Sequence, residues 1–265
     1  MSPIRERFAQ LKTQGRAALI PCLVAGDPDL ETTLSAAAAL AENGADIIEL
    51  VVPFSDPMAD GPTIQAASQR ALAGGVHLTG ILAAVRELRR AVDLPLLLMT
   101  YLNPVLRLGL AEFGRKAREA GVDGVILPEL PVEEADTWRQ VAADKGLDTI
   151  FLAAPTSGLE RRRAICEAST GFVYAVTLTG TTGARQALPP DLIENLKELR
   201  ALSDRPVAAG FGISGPEMVR ALAPHADGLI VGSALVQLMA EGTREEKVRR
   251  VKQAVQSLAA ARDGA

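Results

Sequence analysis

The chain of 265 residues is poor in the side chains that bind metals or form disulfides. It contains two histidines, His77 and His225, and two cysteines, Cys22 and Cys166. The cysteines lack the spacing of metal ligands, and two histidines are too few for a histidine-based metal centre. We therefore expect no metal site and a fold that needs no disulfide.

Long apolar runs and an excess of basic residues are also missing. No run approaches the roughly 20 apolar residues that span a membrane. The formal net charge is −4, which does not indicate a nucleic-acid-binding surface. The first residues lack the apolar segment of a secretory signal. We expect a cytoplasmic protein.

Apolar residues are abundant, at 48% of the chain, which is enough for a large core. Short apolar runs alternate eight times with longer amphipathic segments. The runs predict strands over residues 18–24, 46–51, 95–99, 124–127, 148–152, 172–176, 206–209 and 228–231. The amphipathic segments predict helices over residues 30–43, 81–91, 110–120, 132–145, 159–168, 191–202, 216–222 and 244–261, and an extra helix over 4–14 precedes the first strand.

Three predicted helices end in the same way. At Gly44, Gly121 and Gly146, a glycine is followed by an apolar residue, an aspartate and the next strand. Such repetition is typical of parallel βα units. Eight units without a break in composition predict a single α/β domain over residues 1–265, a (β/α)8 TIM barrel with an extra N-terminal helix. A doubly wound open sheet is the alternative, although it usually has fewer strands.

Residues 49–62 are the most informative stretch. Glu49 lies inside an apolar run, and Ser55, Asp56 and Asp60 follow in a loop rich in proline and glycine. A buried carboxylate is costly unless it is neutralised, paired or used. Active sites of parallel barrels lie at the carboxyl ends of the strands, so Glu49 and Asp60 are candidates for acid–base chemistry. A structural carboxylate, hydrogen-bonded inside the barrel, is the alternative for Glu49.

Glycine-containing segments follow the last three predicted strands, at residues 177–185, 209–214 and 231–234. Glycine lets a ligand approach the backbone closely, and barrels often bind phosphate after strands seven and eight. We predict a phosphate site here, with tight turns as the alternative. Tyr174, inside strand six, either donates a hydrogen bond into the barrel or is a satisfied core residue.

Together these motifs resemble the tryptophan synthase alpha chain family. The resemblance is carried by the loop at 49–62 and, in order along nearly the whole chain, by segments 20–21, 25–28, 101–104, 130–134, 179–184, 210–214 and 231–234. It implies a lyase that cleaves indole-3-glycerol phosphate to indole and glyceraldehyde 3-phosphate by a retro-aldol reaction. It also implies a heterotetramer of two such alpha subunits with two beta chains, in which only the beta chain holds pyridoxal phosphate.

The resemblance also implies roles for individual residues. Glu49 is expected to shuttle the proton, and Asp60 to accept a hydrogen bond from the indole N–H. The expected substrate-binding residues are Tyr174, Thr182, Phe211, Leu127 and Leu152, with Thr182 placed to hydrogen-bond Asp60. The expected phosphate-binding residues are Gly183, Gly212, Gly232 and Ser233. The loops expected to face the partner carry Asp56, Asn103 and Pro131.

Three positions depart from the family's usual residues. The family usually has glycine at Val51, aspartate at Glu129 and an aromatic residue at Cys22. Val51 lies on the same side of its strand as Glu49, so it adds bulk beside the carboxylate. Three other functions remain open: a stand-alone indole-3-glycerol phosphate lyase, a phosphate-binding sugar isomerase barrel, and a binding barrel with weakened catalysis.

Overall fold

The computed structural model describes residues 1–176, 191–210 and 212–265. Eight parallel strands within these ranges close into a barrel, in which β8 pairs with β1. The strands are β1 (Ala18–Val24), β2 (Ile48–Val51), β3 (Leu96–Met99), β4 (Gly124–Ile126), β5 (Asp148–Ala153), β6 (Val173–Val176), β7 (Val207–Gly210) and β8 (Gly228–Val231). The predicted (β/α)8 barrel is confirmed.

Helices surround the barrel. They are α1 (Pro3–Thr13), α2 (Leu30–Glu42), α3 (Pro62–Ala73), α4 (Leu78–Leu88), α5 (Leu102–Leu108), α6 (Leu110–Ala120), α7 (Asp136–Lys145), α8 (Leu159–Ala168), α9 (Leu192–Leu202), α10 (Pro216–Leu222), α11 (Ser233–Leu238) and α12 (Arg244–Asp263). A 3-10 turn, Val132–Glu134, precedes α7. Within the described ranges no single helix is long and apolar enough to cross a membrane. Helices α3 and α4 reach that length and apolar composition only when counted together, and they are bent by 98° relative to each other.

The predicted helix over 132–145 is divided in the structure. The amide of Ala135 donates to the carbonyl of Val132, which is a 3-10 bond, and the α-helical pattern starts with Arg139 donating to Ala135. The prediction also missed α3 and α5. Proline at the first position suits a helix start, but Pro62 ends a stretch so rich in proline and glycine that it indicates only a loop.

The strands separate two layers of apolar side chains. On β1, Ile20 and Cys22 face an inner cluster within the barrel, whereas Leu19 and Leu23 face an outer cluster beneath the helices. The same alternation continues around the barrel because successive side chains of a strand point to opposite faces. Burial of both faces explains the continuous apolar runs in the sequence.

Helix α1 closes the amino-terminal end of the barrel. Its residues Ile4, Phe8 and Leu11 belong to the inner cluster, and the ring of Phe8 lies 5.6 Å from that of Phe172. The predicted extra helix is therefore confirmed and forms part of the core. The opposite, carboxyl end of the barrel is left for the βα loops.

Polar side chains at the amino end join neighbouring strands. A side-chain oxygen just before each even-numbered strand accepts a hydrogen bond from a backbone amide at the start of the preceding strand. These bonds run from Leu19 to Asp46, Leu96 to Asp123, Thr149 to Thr170 and Val207 to Asp227, all at 2.9–3.0 Å. Two aspartates of the repeated glycine phrase, Asp46 and Asp123, thus help to fix the strand register.

Replacement of Asp46 by Asn is expected to lower the free energy of unfolding by about 3 kcal/mol, because the buried guanidinium of Arg262 then keeps only the half-exposed Asp263 as a countercharge. Asp46 and the side chain of Arg262 are almost fully buried and lie 2.5 Å apart. The measurement is urea-induced unfolding at pH 7. The control is Asp136→Asn. Asp136 pairs with Arg139 at the exposed surface, and loss of this pair should lower the free energy of unfolding by less than about 1 kcal/mol. Equal losses in the two variants would contradict the prediction.

Candidate active site

Glu49 lies on β2, paired in register with Cys22 of β1 and Leu97 of β3. It points into the barrel, since Ile48 and Leu50 on either side belong to the outer cluster. Glu49 is only 1% exposed, and its Oε2 atom has no hydrogen-bond partner among the described residues. A carboxylate kept for structure alone would have its oxygens satisfied, so this geometry favours a functional role.

Burial raises the pKa of Glu49 from 4.5 to about 7. A hydrogen bond from the Cys22 thiol acts in the opposite direction, and the negative charge of Asp60 raises the pKa further. Burial dominates because an ionised carboxylate loses its hydration inside the apolar barrel. A carboxyl group that titrates near neutral pH can both donate and accept a proton.

Asp60 lies at the end of the loop that follows β2, two residues before α3 begins. It is 3% exposed, and its Oδ2 has no hydrogen-bond partner in the part of the chain that is described. Burial raises the pKa of Asp60 from 3.8 to about 6; a hydrogen bond from Tyr101 lowers it, and the charge of Glu129 raises it. At neutral pH Asp60 is therefore more fully ionised than Glu49, so the two carboxyl groups have different chemistry.

Tyr101 holds the loop that carries Asp60. Its hydroxyl accepts a hydrogen bond of 3.1 Å from the amide of Ala59, and its ring stacks on Phe54 with centroids 5.1 Å apart. Burial raises the pKa of Tyr101, so the hydroxyl stays neutral. Apart from its place in the family pattern, the sequence did not single out this residue, although a tyrosine two positions beyond a strand end was an available signal.

Glu49 and Asp60 line one cavity at the carboxyl end of the barrel, together with Cys22, Met99 and Tyr174. Three predicted phosphate-binding residues also line it: Gly212, Gly232 and Ser233. The structure therefore brings the predicted acid–base pair and these three residues together. The cavity has a volume of about 40 Å³.

Two glycines beside the cavity have clear steric roles. A Cβ atom on Gly210 would lie 2.4 Å from Cε1 of Tyr174, so only glycine allows the tyrosine ring to occupy this position. Gly212 has a φ of +81°, in the left-handed region that glycine adopts without strain. Burial raises the pKa of Tyr174 well above its usual range, which keeps its hydroxyl protonated as a donor.

Two predicted substrate contacts do not line this cavity. Leu127 belongs to the outer cluster, because Ile126 before it takes the inward position. Leu152 packs against the inner cluster. Thr182, Gly183 and Phe211 lie outside the described residues.

The residues predicted to face a partner are accessible to different degrees. Asp56 and Asn103 are exposed, and Pro131 is half-buried. Asp56 lies on the loop after β2, Asn103 on α5, and Pro131 directly before the 3-10 turn. All three therefore lie on the segments that follow strands at the carboxyl end of the barrel.

The three sequence departures lie close to the carboxyl groups. Val51 lines the cavity with Glu49, as their shared strand face predicted. Cys22 lies across from Glu49 on the neighbouring strand. Glu129 accepts a hydrogen bond from the backbone amide of Leu102, so its carboxylate joins the loop after β4 to helix α5.

The fold and this cavity define a class of protein, a (β/α)8 barrel with two buried carboxyl groups in a cavity at the carboxyl end of its strands. The chain matches the family profile of the tryptophan synthase alpha chain over residues 8–263. A tryptophan synthase alpha chain of Picosynechococcus is 48% identical over 97% of this chain and 98% of its own length. That of Caldanaerobacter subterraneus is also 48% identical, over the same shares of both chains.

Solved structures agree with these relatives. A structure of Mycobacterium tuberculosis tryptophan synthase has a chain that is 42% identical, with a TM-score of 0.91 over 98% of both chains. The tryptophan synthase alpha subunit of Legionella pneumophila is 39% identical, with a TM-score of 0.93 over the full length of both chains. This chain belongs to the tryptophan synthase alpha chain family.

Replacement of Glu49 by Gln is expected to increase the free energy of unfolding at pH 8.5, and to increase it much less at pH 5. The pKa of this carboxyl group is raised from 4.5 to about 7 in the folded chain. Between these values the folded chain keeps a proton that the unfolded chain releases, so wild-type stability falls as pH rises through this window. Glutamine removes that loss, which amounts to at most about 3 kcal/mol.

The measurement is urea-induced unfolding at both pH values. The control is Glu217→Gln, at an exposed position on α10, whose effect should not depend on pH in this range. A stability gain in Glu49→Gln that fails to grow between pH 5 and pH 8.5 would show that Glu49 is not a buried group of high pKa.

Proposed function

We propose that this chain is a carbon–carbon lyase that cleaves indole-3-glycerol phosphate into indole and glyceraldehyde 3-phosphate in tryptophan biosynthesis. The observation that carries the proposal is the pair of buried carboxyl groups, Glu49 and Asp60. Each has an oxygen without a hydrogen-bond partner in the described structure, and both line a cavity with Gly212, Gly232 and Ser233. The family assignment supplies the substrate.

In the first step Glu49, in its protonated form, gives its proton to C3 of the indole ring. The ring becomes an indolenine cation, with positive charge on its nitrogen. Asp60, ionised at neutral pH, accepts a hydrogen bond from the ring N–H and stabilises this charge. The raised pKa of about 7 for Glu49 suits proton donation at neutral pH.

In the second step Glu49, now a carboxylate, removes the proton from the hydroxyl on the side-chain carbon attached to C3. The oxygen forms a carbonyl, the carbon–carbon bond breaks, and its electron pair returns to the ring. Indole and glyceraldehyde 3-phosphate are released, and Glu49 is again protonated. No net proton is consumed, so one carboxyl group is sufficient as acid and base.

The remaining cavity residues would hold the substrate. Gly212, Gly232 and Ser233 offer backbone amides and a hydroxyl to the phosphate, and Gly183 remains a predicted phosphate-binding residue. The neutral hydroxyl of Tyr174 donates a hydrogen bond from the barrel interior. Thr182 and Phe211 remain predicted substrate contacts, and so do Leu127 and Leu152, although neither leucine lines the cavity.

The proposed partner is a beta chain, in an assembly of two alpha and two beta chains. Three strongly exposed large apolar side chains, Met58, Leu106 and Leu159, support a docking surface, since they lie on segments that follow strands at the carboxyl end of the barrel. Two of these segments also carry Asp56 and Asn103. Pyridoxal phosphate would belong to the beta chain, and the proposed cleavage requires no cofactor in this chain.

Glu49→Gln is expected to reduce indole release from indole-3-glycerol phosphate by at least about 100-fold, because glutamine cannot transfer the proton. Binding of glycerol 3-phosphate, which probes only the phosphate residues, should be retained. The measurement is steady-state indole release, with Glu217→Gln on the outer surface as the control. Near-normal cleavage by Glu49→Gln would refute the assigned role.

The same assay with and without a beta chain separates the two lyase functions. A subunit of the proposed assembly should form a complex and release indole faster when the beta chain is added. Absence of both effects, with cleavage intact, would instead indicate a stand-alone lyase. Absence of any cleavage in either condition would indicate a binding barrel.

Val51→Gly is expected to lower the KM for indole-3-glycerol phosphate and to move the pH profile of kcat to lower pH. The isopropyl group lines the cavity beside Glu49; its loss enlarges the cavity and admits water, which lowers the pKa of the carboxyl group. Val51→Ala should give intermediate values. Unchanged kinetics, with and without a beta chain, would show that Val51 does not influence the site.

A further inference from the structure

A second, larger cleft lies at the amino-terminal end of the barrel, opposite the candidate active site. It is formed where α1 crosses the segments that precede β1, β7 and β8. Its volume is about 670 Å³, within the range of about 300–1,000 Å³ typical of sites for small organic ligands. We call it the amino-end cleft; the proposed cleavage does not use it.

The amino-end cleft is strongly basic in a chain whose formal net charge is −4. Two acidic residues line it, Asp204 and Asp227. The cationic residues that line it are Arg5, Lys12, Arg16, Arg200 and Arg205. Such local concentration of one sign of charge in a concave surface attracts ligands of the opposite sign.

Three of these five cations form no direct ion pair with a described residue. Arg200 pairs with Asp227 at 3.0 Å, and Arg16 pairs with Asp263 at 3.0 Å. Within the described ranges, Arg5, Lys12 and Arg205 form no salt bridge, although the charge of Arg5 acts on Asp148 and opposes the rise in its pKa. The Nε of Arg205 donates to the carbonyl of Ser169 at 3.3 Å, which fixes the base of the guanidinium and leaves the rest of the group without a countercharge.

The three unpaired cations come from two sides of the cleft. Arg5 and Lys12 lie on α1, whereas Arg205 lies in the connection between α9 and β7. A ligand with several negative charges spread over its length would suit cations on both sides of the cleft. Guanidinium and ammonium groups both bind phosphate oxygens strongly, and a chain of phosphates provides such a distribution of charge.

We propose that the amino-end cleft is a binding site for an oligophosphate, a small molecule with a chain of two or more phosphate groups. The site is separate from the phosphate residues at the other end of the barrel. Pro206 and Pro224 add apolar surface to its walls, so an organic group attached to the phosphates can also be accommodated.

The test is calorimetric titration of the full chain with inorganic tripolyphosphate at constant ionic strength and pH 7.5. Because glycerol 3-phosphate at saturating concentration should occupy the opposite phosphate residues, it is present throughout. We expect one binding event per chain. Arg5→Gln combined with Lys12→Gln should weaken binding at least about tenfold, since two charge-assisted contacts are lost. Neither side chain forms a salt bridge within the described residues, so the variant should fold normally.

The matched control is Arg90→Gln combined with Lys252→Gln. This variant loses the same net charge at two exposed positions outside the cleft, and it should bind tripolyphosphate as the wild type does. A third variant, Ser233→Glu, adds negative charge at the opposite end of the barrel and should also leave binding unchanged. Absence of binding to the wild type, equal weakening in the control, or loss of binding in Ser233→Glu would each overturn the proposal.

Discussion

The register between neighbouring strands is the constraint on which the rest of the structure depends. Asp46, just before β2, accepts a hydrogen bond from the amide of Leu19 at the start of β1, and Glu49 then lies opposite Cys22. A slip of one residue would turn Glu49 outward among the apolar side chains beneath the helices. Polar bonds at the amino end of the barrel therefore determine which side chains reach the cavity at the other end.

The cavity gives two similar groups different acid strengths. Glu49 is held inside the apolar barrel, whereas Asp60 lies on a loop tied to the next strand connection by Tyr101. Burial raises both pKa values, to about 7 and about 6, and hydrogen bonds from Cys22 and Tyr101 limit the rise. One group is thus suited to proton transfer and the other to stabilising positive charge.

Much of the architecture could be predicted from the sequence because local signals agree with the fold. Apolar runs and glycine–aspartate phrases gave all eight strands, and a carboxylate at a strand end indicated the site. The inward or outward direction of Leu127 could not be predicted from composition, because both faces of a barrel strand are apolar. The hydrogen bond between Ala59 and Tyr101 could not be predicted either. It joins residues 42 positions apart, and loop conformation depends on such tertiary contacts.

The position of Glu129 connects the outer surface of the barrel with its chemistry. Its carboxylate is hydrogen-bonded to the first amide of α5, the helix that carries the exposed Asn103, and its charge raises the pKa of Asp60. A displacement of α5 that carried Glu129 away would lower this pKa. A movement of α5 at the surface would then change the protonation of Asp60, which lies 69 positions before Glu129 in the sequence. This effect needs no contact between α5 and the substrate.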